Sequence, residues 1–374
     1  MKITHIHIER FRGFQNEDFE VGSLLTAIAG QNGTQKSTLL GIITQTFTLK
    51  TEDSMRVEKP LCGGSYISAF KDKFRLSPTF DKPKGHEWTI SFDAGMDDFT
   101  VESIKRTGDP NVRFWKKGAR QEGDGYISFP TIFLSLKRLV PVAEEAKIIT
   151  DDTLLTQEEL NEFKQLHNKI LIAQTPISSA TTITSKNKQS IGVSTELYDW
   201  NQNSMGQDNL GKIILALFSF KRLHDKYPRQ YKGGILAIDE MDATMYPASQ
   251  VELLKVLRKY ASKLNLQILF TTHSMSLLKA MDDLVQEVTK KEETANQAKI
   301  LYLKKVDDKI AIKQGVNFKG IQLDLNVVAE GNNRKKNRIT AYTEDKENIL
   351  FVKAILKSKA FVLDFVDVTL PCST

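Results

Sequence analysis

Residues 24–47 read LLTAIAGQNGTQKSTLLGIITQTF, and this stretch decides the fold. Its first six residues, LLTAIA, have the composition of a short buried strand, and LLGIITQTF at its end is apolar and helical. Between them, GQNGTQKST nearly matches the pattern G-x-x-x-x-G-K-[ST]. A glycine-bearing loop that joins a strand to a helix is the context in which this pattern predicts phosphate binding.

The loop assigns a role to several side chains. Lys36 would reach the β- and γ-phosphates of a nucleotide, and the hydroxyl of Ser37 would bind Mg²⁺. The other predicted nucleotide-binding positions are Gly30, Asn32, Gly33, Thr34, Gln35 and Thr38. Gln35 stands where the pattern has glycine, so a positive φ there would cost about 1 kcal/mol or more and could slow turnover.

Two further strands end in polar residues. ILAIDE, residues 235–240, places Asp239 to support Mg²⁺ and Glu240 to deprotonate an attacking water. LFTTHS, residues 269–274, ends at His273, which could contact the γ-phosphate or the water. Strands and helices alternate over residues 200–284, which predicts a parallel α/β sheet.

A second anion site is predicted far along the chain, in NSMGQ at residues 203–207. Ser204 supplies a hydroxyl, Gly206 permits close backbone approach, and a helix begins directly afterwards. The simpler interpretation is a polar loop that caps a buried helix. One nucleotide needs a single phosphate loop, so two separated anion sites suggest that ATP lies between two copies of the chain.

Composition limits the remaining possibilities. The chain has 374 residues, 40% of them hydrophobic, and a net charge of +6 that permits an anionic partner. The two cysteines lie far apart, which indicates neither a disulfide framework nor a zinc site and favours a reducing cytoplasm. The longest apolar run, residues 213–218, is too short to span a membrane.

We expect a β-rich lobe of hairpins over 51–125 and a helical insertion over 150–200.

These motifs together resemble a known family. GQNGTQKST, NSMGQ, ILAIDE, MDA and TTHS follow the order of the phosphate loop, signature motif, catalytic strand, D-loop and H-loop of ABC-type ATPases. The opening ITHIHIERFRGF is similar to the start of the SMC/RecF branch. The resemblance implies an α/β P-loop NTPase fold with an ABC-type head. It also implies that Ser204 and Gly206 contact the partner's γ-phosphate, that Asp242 links the two sites and that His273 senses the γ-phosphate.

Within this branch, the short span between Leu136 and the signature motif argues against the long coiled coil of SMC proteins. The sequence looks more like the overcoming-lysogenization-defect (OLD) nucleases and the antiphage ATPases of Gabija, Septu and some retrons. That resemblance implies an ATPase head over 1–330 and the start of a Toprim-like βαβ segment over 331–374. Glu344 would be its Mg²⁺ ligand.

We therefore expect an ATP- and Mg²⁺-dependent hydrolase that forms an even-numbered homo-oligomer and controls a nucleic-acid-directed activity in antiphage defence, with possible protein partners. A basic cluster could bind nucleic acid; it consists of Arg334, Lys335, Lys336 and Arg338. Three alternatives stay open: an ATP-gated DNA nuclease, a RecF-like repair ATPase, and a non-hydrolysing scaffold of a defence complex, which Gln35 would favour.

Overall fold

The computed structural model describes most of the chain, in the ranges 1–66, 70–93, 95–105, 112–119, 124–140, 148–151, 154–173, 175–185, 189–330, 339–343, 345–357, 360 and 363–367. These residues form two compact units, Met1–Phe318 and Lys319–Thr374. The α/β fold predicted from the sequence is confirmed. None of the described helices is long and apolar enough to cross a membrane.

The first unit contains sixteen strands and six helices among its described residues. The strands are β1 (Ile3–Phe11), β2 (Phe14–Glu20), β3 (Leu25–Gly30), β4 (Phe47–Thr48), β5 (Glu87–Phe92), β6 (Phe99–Lys105), β7 (Val112–Lys116), β8 (Ile127–Ser128), β9 (Thr131–Leu134), β10 (Ile149–Asp151), β11 (Ser179–Thr184), β12 (Gln189–Ser194), β13 (Gly234–Ile238), β14 (Leu266–Thr272), β15 (Ala298–Val306) and β16 (Lys309–Lys313). The helices are α1 (Lys36–Thr44), α2 (Phe70–Lys73), α3 (Gln157–Leu171), α4 (Met205–Lys226), α5 (Pro247–Lys263) and α6 (Met275–Val288).

The central sheet has six strands in the order β16-β15-β3-β14-β13-β9. All neighbouring pairs are parallel except β15 and β16, which form a hairpin. Every residue of β3, β13 and β14 is buried, as expected for strands covered on both faces. Since parallel strands end at the same edge, the phosphate loop, the Asp239–Glu240 pair and His273 follow three adjacent strands at one edge.

A second, antiparallel sheet has the order β2-β1-β5-β6-β7. The strands expected for the β-rich lobe thus extend the N-terminal hairpin, because β5 pairs with β1 across more than 80 residues of sequence. A cluster of aromatic rings lies in the core that this sheet shares with α1, with centroids 5.7 Å apart for Phe11 and Trp88 and 5.1 Å apart for Trp88 and Phe114. Leu39, Leu40, Ile42 and Ile43 of α1 belong to this core, so the packing holds the phosphate-loop helix against the sheet.

The segment 150–200, expected to be helical, contains one helix and a three-stranded antiparallel sheet, β10-β11-β12. The reason is local composition, since ISSATTIT at residues 177–184 is rich in β-branched residues that favour strands. Helix α3 is tied to α4 by ion pairs from Arg222 to Glu159 and from Lys221 to Glu162, both 2.6 Å long. The insertion is therefore anchored to the helix that follows the signature motif.

The second unit contains helix α7, followed by a strand, a helix and a strand in βαβ order. Its elements are α7 (Phe318–Glu330, beginning at the boundary), β17 (Ile339–Thr343), α8 (Lys346–Leu356) and β18 (Leu363–Asp367). Strands β17 and β18 pair in parallel, with Ile339 opposite Leu363 and Thr343 opposite Asp367. The strand, helix and strand expected here are thus present.

The buried imidazole of His167 makes the stability of the fold depend on acid pH. It is 2% exposed, and neither ring nitrogen has a hydrogen-bond partner among the described residues. Burial lowers the pKa of His167 from 6.5 to about 4. Between these two pH values, His167 is therefore protonated in the unfolded chain and neutral in the folded chain. The free energy of unfolding consequently falls as the pH drops from 6.5 towards 4.

We predict that His167→Leu removes this loss, which amounts to roughly 3 kcal/mol across that interval. Denaturant titrations of both proteins at a series of pH values would measure it. His224→Leu, which removes a half-exposed histidine, is the control and should retain the acid sensitivity. An unchanged pH dependence in His167→Leu would contradict the assignment.

Candidate functional site

The loop between β3 and α1 has the backbone shape of an anion cradle. Gly30 and Gly33 have φ values of 153° and 81°. A Cβ on Gly30 would lie 2.5 Å from the carbonyl oxygen of Leu303, so only glycine fits there. Gln35 precedes α1 with φ 62° and ψ 32°, and among the described residues no side chain caps this helix. The first amides of α1 are therefore available to an anion.

Lys36 is a buried cation inside this loop. It is 7% exposed, and its Nζ donates to the carbonyl oxygens of Gly30 at 3.1 Å and Gln31 at 3.0 Å. Burial lowers the pKa of Lys36, and nearby carboxylates, Glu240 foremost, oppose that shift. No carboxylate of the described residues forms an ion pair with its ammonium group. An anionic ligand would supply the missing partner.

Ser37 joins the phosphate loop to strand β13. Its Oγ donates to Oδ1 of Asp239 at 2.8 Å, and Thr271 Oγ1 donates to the same oxygen at 2.8 Å. Asp239 is 5% exposed, so its carboxylate is both buried and hydrogen-bonded. A hydroxyl and a carboxylate converge here, and such oxygen ligands suit Mg²⁺. Thr38, one residue further, receives a 3.4 Å hydrogen bond from Arg12.

Glu240 directly follows Asp239 in a constrained backbone. Its φ is 49°, a left-handed conformation that is uncommon for a residue other than glycine. The amide of Glu240 donates to Thr271 Oγ1 at 2.6 Å, and its side chain is only partly buried. At the end of β13, the carboxylate of Asp239 is thus buried, whereas the carboxylate of Glu240 faces the phosphate loop.

His273 and Asp242 lie at the same edge. The backbone amide of His273 donates to Oδ1 of Asp242 at 3.3 Å. The pKa of His273 is lowered because neighbouring atoms partly desolvate its ring and because Lys36 adds positive charge nearby. A neutral imidazole has one donor nitrogen and one acceptor nitrogen, which suits contact with a phosphate oxygen or a water.

The second predicted anion site is a helix start with a capping box. Ser204 Oγ accepts from the amide of Gln207 at 3.4 Å, and Gln207 Oε1 accepts from the amide of Ser204 at 2.9 Å. The simpler interpretation as a cap is thus correct for the local structure. Ser204 is nevertheless exposed, and it borders a cavity of about 390 Å³. The cavity is lined by Leu171, Ala173, Tyr198, Gln202, Ser204, Gly206, Gln207, Thr244, Met245 and Tyr246.

Within one chain the two anion sites are linked indirectly. A Cβ on Gly206 would lie 2.6 Å from the carbonyl oxygen of Thr244, in the loop that follows Glu240. Among the described residues no hydrogen bond or ion pair joins Ser204 or Gly206 to residues 30–38. Among the described residues, the predicted signature motif therefore lies against the loop that follows Glu240 and makes no polar contact with the phosphate loop of its own chain.

Arg138 and Thr271 were missed as site residues by the motif search. Arg138 is 2% exposed. Burial lowers the pKa of Arg138 to about 10, which leaves it charged at neutral pH. Strand β9, which precedes Arg138, pairs with β13, so both end at the same edge, and no local sequence pattern specifies this pairing.

Five other predicted residues lie outside the described residues. They are the Toprim-like metal ligand Glu344 and the basic cluster Arg334, Lys335, Lys336 and Arg338. The nuclease alternative and the nucleic-acid contact at this cluster therefore stay predictions. Among the described residues no group of three His, Cys, Asp or Glu side chains could hold a metal ion.

The middle of the chain is similar to a known family of ATPase domains. Residues 134–278 match the family described as the AAA ATPase domain, a range that includes the signature motif, Asp239, Glu240 and His273. No curated protein matches the sequence.

Similar solved structures include two SMC heads and a RecF protein. The SMC head domain from Thermotoga maritima is 14% identical over 84% of this chain and 100% of that chain, with a TM-score of 0.46. The Smc head bound to the C-winged helix domain of ScpA is 14% identical over 86% and 100%, with a TM-score of 0.49. The recombination mediator protein RecF is 12% identical over 84% and 98%, with a TM-score of 0.42.

The side chain of Gln35 points away from the phosphate loop. This orientation bears on the expectation that Gln35 slows turnover. Its Nε2 lies 2.9 Å from the Cβ position of Gly13, in the β1–β2 turn, and its Oε1 is buried without a partner among the described residues. The backbone at Gln35 already has the left-handed conformation that glycine would take.

We therefore predict that Gln35→Gly changes ATP affinity and hydrolysis by less than about threefold. The variant should be more stable by about 1 kcal/mol, because it removes the cost of a side chain at positive φ. Gln35→Ala keeps that cost and removes the amide, so it is the matched control. Hydrolysis that rises tenfold or more in Gln35→Gly would identify the side chain as a brake.

Proposed function

We propose that the chain is an ATP-binding and ATP-hydrolysing enzyme of the ABC type, in the SMC/RecF branch, that works as a dimer with ATP between two copies. The observation that carries the proposal is the hydrogen bond from Ser37 to Asp239, which joins residues 202 positions apart. It unites the phosphate loop and the catalytic strand in one site.

The residues of the loop fit Mg²⁺ and ATP. Ser37 and Asp239 would hold the ion through oxygen atoms, and Lys36 with the first amides of α1 would hold the phosphates. The bound ion would neutralise negative charge on the β- and γ-phosphates. Lys36 needs this ligand most, since the partners of its buried ammonium group among the described residues are all carbonyl oxygens.

Glu240 would act as general base. Its carboxylate follows the buried Asp239 and faces the loop, where it would orient water and accept its proton. His273, kept neutral by its surroundings, would contact the γ-phosphate or that water. Asp242, bonded to the amide of His273, would link this site to the second one.

The signature motif would complete the site of a second copy. Ser204 is exposed at the start of α4, and the cavity beside it opens next to the loop that follows Glu240. The first amides of α4 and the Ser204 hydroxyl would bind the γ-phosphate held by the partner. Dimerisation of this kind requires an even number of subunits.

The ATPase would control an activity directed at nucleic acid, in antiphage defence as in OLD-type proteins. It would act in the cytoplasm and together with a protein partner. Support comes from the net charge of +6 and from the 15-residue α3, which stands where SMC proteins have a long coiled coil. A head over residues 1–330 and a Toprim-like start over 331–374 belong to this proposal.

Glu240→Gln tests the catalytic assignment. The variant keeps the shape of the side chain and loses the base, so we expect ATP hydrolysis to fall at least about 100-fold while ATP binding persists. Sedimentation with ATP should then detect an accumulated dimer. Steady-state hydrolysis and equilibrium binding measure the two effects separately.

Two variants serve as controls for this experiment. Lys36→Ala should lose ATP binding altogether. Glu252→Gln removes a carboxylate on α5 whose one ion pair among the described residues is with Lys255, and this variant should behave as the natural protein. Native hydrolysis in Glu240→Gln would refute the general base, and native affinity in Lys36→Ala would refute the phosphate loop.

A further inference from the structure

Arg138 lies buried behind the catalytic strand and donates only to neutral acceptors. Its Nη1 donates to the carbonyl of Asp239 at 2.6 Å and its Nη2 to the carbonyl of Glu240 at 2.8 Å. Nη1 also reaches the carbonyls of Leu134 and Ser135 at 3.2 Å. Among the described residues Arg138 forms no ion pair. A buried guanidinium without a carboxylate partner is costly, so simple packing would favour an apolar side chain here.

The loop that Arg138 holds is strained. Glu240 and Thr244 have φ values of 49° and 68°, and neither is glycine. Such conformations persist where surrounding groups fix them. Arg138 binds the carbonyl of the first strained residue, which sets the direction of the peptide that carries the Glu240 side chain.

Asn209 connects Arg138 to the other end of this loop. Its Oδ1 accepts from Arg138 Nε at 2.7 Å. Its Nδ2 donates to the carbonyl of Ala243 at 2.9 Å and reaches Thr244 Oγ1 at 3.4 Å. Asn209 is fully buried on α4, three residues after Gly206. The amide oxygen of Asn209 therefore binds Arg138, and its amide nitrogen binds the loop that follows Glu240.

A continuous path results from the signature motif to the catalytic carboxylate. It begins at the start of α4 with Ser204 and Gly206, which touches the carbonyl of Thr244. It continues through Asn209 on the same helix to Arg138, and from Arg138 to the backbone of Glu240. A displacement of α4 would change the geometry of every bond along this path.

We propose that Arg138 and Asn209 form a positioning pair that couples engagement of the signature motif by a second copy to the orientation of Glu240. This inference rests on the proposed ATPase function. Both side chains are buried, and they act through the backbone of the loop that follows β13. The pair affects turnover because it fixes the backbone of Glu240, the proposed general base.

The test compares Arg138→Lys, Asn209→Asp and the double variant in the full chain. Lysine keeps the charge but cannot bind two carbonyls and Asn209 in one plane. Aspartate keeps the acceptor for Arg138 and removes the donor to Ala243. We expect each variant to lower kcat at least tenfold while the Kd for ATP stays within about threefold.

Because the two residues act as a unit, the double variant should lose little more than the worse single variant. Arg222→Lys is the matched control, since Arg222 lies on the same helix and binds Glu159 in the insertion; it should keep native kcat. Asn209→Asp is the milder change and carries the test if Arg138→Lys does not fold.

The outcomes separate the two levels of the proposal. Native kcat in Arg138→Lys and Asn209→Asp, in a chain that hydrolyses ATP, would overturn the positioning role alone. A parallel loss of ATP affinity and kcat, or additive effects in the double variant, would also overturn it. Absence of ATP binding by the natural chain would overturn the proposed function and the positioning role together.

Discussion

The hydrogen bond between Ser37 and Asp239 is the contact on which the site depends. It exists because β3 and β13 flank β14 in one parallel sheet, so that the residues following both strands meet at one edge. Thr271, at the end of β14 between them, binds the same carboxylate oxygen. The central sheet thus creates the site, and the antiparallel sheet and aromatic core hold α1 in place behind it.

The predicted second anion site, at the start of α4, depends on the loop that leaves the same edge of the central sheet. The predicted signature motif at the start of α4 lies against the strained loop after Glu240. Among the described residues, Lys36 is buried without a carboxylate partner, and Ser204 is exposed beside a cavity. In the proposed dimer these two features would be complementary. If two copies were placed head to tail, the helix start of one copy would lie beside Lys36 of the other.

Much of this arrangement could be predicted from the sequence, because the motifs lie at the ends of strands that periodicity identifies locally. The pairing of β5 with β1 could not, since no local signal specifies a partner 80 residues away. The strands β11 and β12 differ from the helical insertion that the sequence predicts over 150–200. Arg138 was missed because an arginine after a lysine is usually a surface residue, and only the sheet order shows that it turns inward.

The central claim, that ATP is shared by two copies, is tested most directly by mixing two inactive variants. Lys36→Ala removes the phosphate loop, and Ser204→Arg blocks the signature motif. A mixed dimer would contain one intact composite site, so hydrolysis should return to roughly a quarter of the native rate in an equal mixture. A mixture as inactive as its separate components would contradict the account.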